Sequence, residues 1–185
     1  ALRSYFGRLN YNYDNRYLLE ANLRYDGTSR FTGDNQYGTF PSFSAGWRIS
    51  NEAFWSDELR NIVSDLKLRA SWGKTGNQTA DLYAFYESYT STSYNFGGNL
   101  VQGYMQKELA NKDLKWETST QTDVGIDAGF LNNRLTLTAD YYYKKTDGIL
   151  VKLPISGTIG LDAPVQNAAV VDNKGFELAL DWKDN

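Results

Sequence analysis

Alternation of apolar with mostly polar side chains near the start of the chain is the feature that most constrains its fold. In residues 16–26 every second side chain is apolar: Tyr17, Leu19, Ala21, Leu23 and Tyr25. Residues 5–13 repeat the pattern, and a short turn at residues 14–16 separates the two runs. Because successive side chains of a β-strand point to opposite faces, this pattern predicts a hairpin with one apolar and one polar face. Such an apolar face rests either on a protein core or on lipid.

The composition of the 185 residues excludes several classes of function. The 19 basic and 22 acidic residues nearly balance, so the chain lacks the basic surface that nucleic acid binding requires. The sequence contains no Cys and no His, which removes thiol chemistry, disulfide bonds, histidine bases and the commonest zinc ligands. No run of about 20 apolar residues is present, so no transmembrane helix is predicted.

Further alternating stretches predict that most of the chain consists of antiparallel β-strands. After the first hairpin, five more strands are expected, at residues 40–49, 66–74, 116–130, 135–143 and 175–183. Ser56 is expected to cap a short helix in the connection 50–65. Three long loops are predicted at residues 27–39, 75–115 and 145–173, and they alternate with shorter connections. Short turns at one rim and long extracellular loops at the other are typical of outer-membrane β-barrels.

Aromatic residues are concentrated at both ends of the predicted strands. Those near the short turns are Tyr13, Tyr17, Trp47, Phe130 and Trp182. Those near the long loops are Tyr5, Tyr25, Phe43, Trp72, Trp116, Tyr141 and Tyr143. Two aromatic belts around an aliphatic band are what lipid headgroups and lipid tails favour. The predicted fold class is therefore all-β: an antiparallel transmembrane β-barrel segment of about seven strands, too few to close and so part of a larger barrel.

Several segments resemble one known family. They are residues 4–11 (SYFGRLNY), 24–31 (RYDGTSRF), 40–48 (FPSFSAGWR), 68–78 (LRASWGKTGNQ) and 172–177 (DNKGFE). In this order they resemble the barrel of the SusC/RagA family of TonB-dependent outer-membrane transporters of the Bacteroidota. The resemblance implies a barrel of about 22 strands behind an N-terminal plug domain. Residues 1–185 are expected to form part of that barrel, with the plug and the segment that contacts TonB outside them.

The resemblance also implies a function and a set of partners. The expected function is TonB-dependent import of an oligosaccharide, or of a peptide in some members, in contact with outer-membrane lipid. A SusD-like surface lipoprotein is expected to act as a lid, and two transporter–lipoprotein pairs are expected to form a dimer. Neither enzymatic activity nor a cofactor is expected. The alternatives are a smaller outer-membrane porin or adhesin barrel and a soluble carbohydrate-binding β-sandwich.

The aromatic residues of the longest loop are the candidate substrate contacts. They are Tyr83, Phe85, Tyr86, Tyr89, Tyr94 and Phe96. Sugar rings stack on aromatic faces, which is the functional interpretation. The alternative interpretation is that these rings pack the loop on itself or dock it to the lipoprotein.

Charged residues of the polar face have structural interpretations that compete with functional ones. Paired carboxylates such as Asp123 and Asp127 could serve glycoside hydrolysis, but a solvated barrel interior explains them as well. Carboxylates in the loop 26–34 could bind calcium, although no recognised calcium-binding spacing is present. The arginines of this face are expected to contact the plug: Arg24, Arg48 and Arg69.

Overall fold

The computed structural model describes residues 1–184, which form antiparallel β-strands with few helical turns. The strands are β1 (Leu2–Tyr13), β2 (Tyr17–Thr28), β3 (Tyr37–Arg48), β4 (Val63–Asn77), β5 (Ser88–Phe96), β6 (Asn99–Glu108), β7 (Glu117–Phe130), β8 (Leu135–Lys152) and β9 (Val165–Trp182). Seven of them form one sheet in the order β1-β2-β3-β4-β7-β8-β9, while β5 and β6 form a separate two-stranded sheet. Within residues 1–184 the larger sheet is open, since β1 and β9 each pair on one side only. The prediction of an all-β antiparallel sheet of about seven strands is confirmed.

Tight turns join β1 to β2 and β7 to β8 at the rim where connections are short. Asp14 and Asn15 have φ values of 51° and 52°, and Asn132 and Asn133 have values of 56° and 62°. Asn and Asp adopt this left-handed region at lower cost than most residues. Positive φ also gives hairpin turns whose twist matches that of the strands. Both turns lie where the sequence predicts them.

The third connection at this rim contains the short helix α1 (Asp57–Ile62). The Ser56 hydroxyl accepts a hydrogen bond from the backbone N–H of Leu59 at 3.3 Å, which confirms the predicted cap. Asp57 and Glu58 lie in the first turn, where the helix dipole favours negative charge. None of the helices within residues 1–184 has the length and apolar character needed to cross a membrane.

The strand register carries the predicted faces across the whole sheet. Tyr17 pairs with Tyr13 on one side and with Trp47 on the other, so aromatic side chains of three strands share the apolar face. That face is uncovered: Leu9 is 71% exposed and Phe176 is 68% exposed. In a soluble β-sandwich these side chains would be buried against a second sheet. No second layer covers them within residues 1–184, which argues against the sandwich alternative.

The three predicted long loops are shorter than the sequence suggests, because strands extend into them. β8 continues to Lys152 and β9 begins at Val165, which reduces the connection expected at 145–173 to residues 153–164. The loop expected at 75–115 contains the hairpin β5–β6, and the loop expected at 27–39 is reduced to 29–36. A barrel strand crosses the hydrocarbon layer in about 10 residues. Beyond that length both faces meet water, so alternation fades although the strand continues.

The buried core lies among the long connections and not over the centre of the sheet. Its members pack together and are at most 8% exposed: Phe31, Phe40, Ala80, Leu114 and Trp116. We call this group the loop anchor. The alternating pattern predicts that Trp116 belongs to the aromatic belt near the long loops, and this prediction is wrong. The strand begins only at Glu117, so the Trp116 side chain turns into the cluster.

Candidate functional site

The polar face of the sheet carries an ion-pair network that spans three strands. Arg69 Nε of β4 lies 2.8 Å from Asp127 Oδ2 of β7. Arg69 Nη2 lies 2.9 Å from Asp140 Oδ1 of β8. The three side chains are half-buried, so the attraction between them is less screened than at a fully exposed surface. The network links β4, β7 and β8 and carries a net charge of −1, since one guanidinium faces two carboxylates.

The other arginines predicted to contact the plug also have partners within the chain. Arg24 Nη2 lies 2.5 Å from Asp26 Oδ2, and Arg48 Nε lies 3.8 Å from Asp65 Oδ1. These contacts offset the positive charge of both guanidinium groups on the polar face. Contact of these arginines with a plug domain stays a prediction.

The carboxylates considered for hydrolysis and for calcium binding are held by neighbouring side chains. Asp123 accepts hydrogen bonds from Ser71 at 3.1 Å and from Gln121 at 2.9 Å. Asp26, which begins the loop considered for calcium, is 2% exposed and is bound by Arg24. Within residues 1–184 no group of three or more potential metal-binding side chains is gathered. These contacts explain the carboxylates as parts of a polar wall.

The loop anchor is built around the indole ring of Trp116. Its centroid lies 5.7 Å from that of Phe31 and 5.3 Å from that of Phe40, with interplanar angles of 69° and 68°. This edge-to-face arrangement is one that aromatic rings prefer. The Trp116 Nε1–H also donates to the carbonyl oxygen of Gln36 at 3.3 Å. The connection 29–36 is thereby fixed to the start of β7.

Side-chain amides fasten the ends of β8 and β9 that flank the connection 153–164 to the same point. Asn167 Oδ1 accepts a hydrogen bond from the backbone N–H of Lys115 at 3.0 Å. Its Nδ2 donates at 2.8 Å to the carbonyl oxygens of Lys115 and of Gly148. Gly148 has a φ of 68° and lies at a bulge in β8, which suits a residue without a Cβ. Asn111 Nδ2 donates to the carbonyl of Val165 at 2.8 Å. Two long connections and the adjoining ends of β8 and β9 therefore meet at the loop anchor.

The six aromatic residues predicted to contact substrate do not form one surface. Tyr83, Phe85 and Tyr86 form one group, with ring centroids 4.5–6.5 Å apart. Phe85 is buried, so only the two tyrosines of this group offer free ring faces. Tyr94 and Phe96 of β5 form a second pair, 5.5 Å apart and both largely exposed.

Tyr89, the sixth aromatic residue, is separated from both groups. It lies an odd number of residues from Tyr94 along β5, so their side chains point to opposite faces of the hairpin. The Tyr89 hydroxyl lies 3.1 Å from Glu87 Oε2, and this hydrogen bond raises the pKa of Tyr89. The structure thus offers two small aromatic groups, and their role in substrate binding stays a prediction.

A polar cluster at the short-turn rim is one that the sequence pattern does not predict. Glu52 accepts hydrogen bonds from Trp47 Nε1 at 2.9 Å and from Arg16 Nη1 at 3.3 Å. Hydrogen bonds from Tyr17 and then from Trp47 hold the pKa of Glu52 below its usual range. Because Tyr17 and Trp47 belong to the apolar face, the segment after β3 folds back against that face. Glu52 lies in irregular structure, where periodicity gives no signal.

Comparison with known sequences points to one family. The model of the family described as TonB dependent receptor-like, beta-barrel matches residues 1–184. The chain is 43% identical over 190 residues to the TonB-dependent receptor SusC of Bacteroides thetaiotaomicron. It is 37% identical over 183 residues to the TonB-dependent receptor P3 of Formosa agariphila. Each alignment covers 99% of this chain and 18% of the relative, so the chain spans less than a fifth of the length of these curated relatives.

Comparison with solved structures points to the same family. The RagAB peptide transporter matches 97% of this chain and 19% of its own, with a TM-score of 0.86 and 31% identity. The siderophore receptor PirA from Pseudomonas aeruginosa matches with a TM-score of 0.61 at 18% identity, which shows similarity of fold alone. Since the barrel model of the family matches all described residues, the chain belongs to the TonB-dependent receptor β-barrel family and is a homologue of SusC.

Proposed function

We propose that this chain is part of the barrel wall of a transporter that imports a nutrient across the outer membrane of a Gram-negative bacterium. The observation that carries this proposal is the uncovered apolar face of the seven-stranded sheet, bordered by aromatic side chains towards both rims. Lipid is the partner that such a face fits. The opposite face, with its network around Arg69, would line the barrel interior.

In this proposal the chain does no covalent chemistry and contributes a rigid frame. Ligand would be captured between the long connections and a SusD-like surface lipoprotein. The plug would then be displaced by force from TonB, which acts on an N-terminal region of the whole protein. The network around Arg69 stiffens the wall against which the plug moves. The loop anchor holds two of the long connections, and the ends of β8 and β9, at the capture site in fixed positions relative to that wall.

For the substrate, an oligosaccharide is the first candidate and a peptide the second. The exposed rings of Tyr94 and Phe96 offer faces on which sugar rings can stack. Similarity to a structure described as a peptide transporter favours the second candidate. Pairing of two transporter–lipoprotein units is part of the proposal, as the resemblance to the SusC/RagA family implies.

Growth of a gene-deletion strain tests the proposed function. The strain is expected to lose growth on one class of nutrient, oligosaccharide or peptide, as the sole carbon source, and to regain it with the intact gene. A strain without TonB should show the same loss. Growth that depends on the gene but not on TonB would indicate a passive porin. A deletion that affects surface attachment alone would indicate an adhesin.

Paired substitutions in the full-length protein test the substrate contacts. Combined Tyr94→Ala and Phe96→Ala changes are expected to raise the Kd for the imported nutrient about tenfold or more, since stacked rings contribute on the order of 1 kcal/mol each. Tyr89→Ala, on the opposite face of β5, is the matched control and is expected to leave the Kd unchanged. If the double change and Tyr89→Ala had equal effects on the Kd, the proposal that Tyr94 and Phe96 bind the nutrient would be rejected.

A further inference from the structure

A row of three hydrogen-bond donors lies on the apolar face of the sheet, just beyond the aromatic belt near the long loops. Lys74 of β4 and Lys145 of β8 both pair with Thr120 of β7, so the three residues are level with one another on adjacent strands. Lys74 and Lys145 lie two residues beyond the belt residues Trp72 and Tyr143, and side chains two residues apart in a strand share a face. Neighbouring strands are about 4.8 Å apart, so the backbones of the two lysines are about 10 Å apart across β7.

Neither lysine of this row is neutralised within residues 1–184. Lys74 and Lys145 take part in none of the ion pairs of these residues, although Asp172 of β9 is opposite Lys145 in the register. The strands β4, β7 and β8 each pair with a neighbour on both sides. The position of the row on the apolar face therefore does not depend on strands outside these residues.

The arginines that flank the two tight turns, at the opposite rim, do have carboxylate partners. Arg16 lies 2.5 Å from Asp14 and 3.3 Å from Glu52. Arg134 lies 2.6 Å from Asp184. In a barrel that spans a membrane, the two rims meet different leaflets. Basic residues without a partner at one rim alone indicate that the leaflet at that rim supplies the negative charge.

Small side chains form a groove that leads from this row across the apolar face. Thr122 of β7 lies level with Trp72 on one side and with Tyr143 on the other, so the groove passes between two large rings. Further along β7 it widens into a shallow hollow with a mainly apolar surface. The lining of the hollow includes Thr122, Val124, Ala70, Ala45, Phe43 and Trp72. An acyl chain can pack along such a groove through van der Waals contacts.

We infer that Lys74, Thr120 and Lys145 bind the phosphate group of an outer-leaflet lipid, with an acyl chain of that lipid in the groove. The inference rests on the proposed function, which places the apolar face in the outer membrane and the long connections at the cell surface. Phosphate oxygens accept hydrogen bonds from ammonium and hydroxyl groups alike. The ligand is a lipid and not a free phosphate ion, because the groove continues from the row into the apolar face. Trp116 of the loop anchor is four residues from Thr120, so the bound lipid stabilises the wall beside the loop anchor.

Native mass spectrometry of the full-length transporter, purified in detergent and incubated with single lipids, tests this inference. The probes are dioleoyl phosphatidic acid, which carries a phosphate, and dioleoylglycerol, which has the same acyl chains without a phosphate. The first molecule of phosphatidic acid is expected to bind about tenfold more tightly than dioleoylglycerol, or better. Inorganic phosphate in excess should not displace it. Displacement by inorganic phosphate would indicate a site for a free anion and would overturn the inference.

Paired lysine substitutions on the two faces of the sheet locate the phosphate site. Lys74→Gln combined with Lys145→Gln is expected to weaken the binding of phosphatidic acid about 30-fold, since each lysine near an anionic headgroup contributes a factor of about five. Lys67→Gln combined with Lys144→Gln is the matched control. It makes the same change of charge on the same two strands, but these side chains point to the polar face. The control is expected to leave the binding unchanged.

A substitution in the hollow tests the position of the acyl chain. Ala70→Phe fills part of the hollow without a change of charge and is expected to weaken the binding of dioleoyl phosphatidic acid about tenfold. The binding of dibutyryl phosphatidic acid, whose chains are too short to reach the hollow, should not change. Ala139→Phe, on the same face of β8 and outside the hollow, is the matched control and should affect neither lipid.

Equal binding of the two dioleoyl lipids by the unaltered transporter would overturn the inference, and this measurement requires no variant. Equal effects of the two lysine pairs would also overturn it. Resistance of the barrel to heat in SDS gels shows whether each variant has folded. A transporter that imports its nutrient but binds both dioleoyl lipids equally would reject the lipid site alone. Recovery of the natural protein outside the outer-membrane fraction would instead reject the proposed function.

Discussion

The change Trp116→Ala is predicted to release the long connections while leaving the seven-stranded sheet in place. Trp116 is 8% exposed, makes two edge-to-face aromatic contacts and donates one hydrogen bond to Gln36. Truncation of a buried Trp to Ala costs about 3–5 kcal/mol. Since 1.4 kcal/mol corresponds to a tenfold change, the equilibrium for local opening of residues 78–116 should shift by about 140-fold to 3,700-fold.

Limited proteolysis of the full-length protein in nanodiscs measures this opening. When opening and closing are fast relative to cleavage, the cleavage rate follows the population of the open form. Trypsin cleavage after Lys112 and Lys115 should therefore accelerate by the same factor, up to the rate for a fully open loop. The shift cannot exceed the stability that the loop anchor provides in the unaltered chain.

A second tryptophan provides the matched control. Trp72 lies on the apolar face of the sheet, stacked on Phe43 with ring centroids 6.1 Å apart. Trp72→Ala removes the same atoms but touches no part of the loop anchor, so cleavage of residues 78–116 should stay unchanged. The reasoning is refuted if Trp116→Ala accelerates cleavage less than about threefold, or if Trp72→Ala accelerates it equally.

Three further predictions concern the wall, the short-turn rim and the packing of the loop anchor. Arg69→Leu is expected to lower the free energy of unfolding by about 1–2 kcal/mol, because the half-buried Asp127 and Asp140 lose their cation. In SDS gels, the shift in migration that marks unfolding of the heated barrel should begin at a lower temperature. Glu52→Gln is expected to abolish acid loosening of the rim. The lowered pKa of Glu52 means that its stabilisation is complete above about pH 4.3 and is lost as pH falls through the folded-state pKa, which hydrogen exchange of residues 49–56 can follow. Gly76→Val is expected to displace the ring of Phe40, which occupies the space of a Cβ, and to accelerate trypsin cleavage of the loop, whereas Gly103→Val has open space and should not.

The membrane-crossing part of the fold was predictable because lipid imposes a pattern on the sequence. Alternation in residues 5–13 and 17–25 gave the first hairpin with its faces correctly assigned. Asp14 and Asn15 gave the turn, since few other residues accept positive φ there. Ser56 gave the helix start for an equally local reason. In each case the physical cause of the local structure lay within a short stretch of the chain.

The candidate site was less predictable because its contacts join distant parts of the chain. Phe31 and Trp116 are far apart in sequence, and the periodicity that suggested a strand from Trp116 onwards carries no sign of its contact with Phe31. The six aromatic residues of the long loop were found as a composition, yet composition does not distinguish the buried Phe85 from the exposed Tyr86. The hairpin β5–β6 escaped because aromatic and small polar residues occur on both of its faces, so no two-residue period appears.

The location of the loop anchor follows from where burial of apolar surface is favourable. Lipid tails are as apolar as leucine side chains, so within the membrane the packing of apolar residues together gains little from the hydrophobic effect. Beyond the membrane the solvent is water, so the packing of apolar residues together is again favoured by the hydrophobic effect. β8 shows this transition: its alternation ends near Tyr143, while the strand continues to Lys152, about 30 Å further. Within that extension Gly148 accepts a hydrogen bond from Asn167 of β9, which also donates to the carbonyl of Lys115, between the loop-anchor residues Leu114 and Trp116. A chain of this kind therefore builds its compact core among the connections, where it also fixes the elements that meet the ligand.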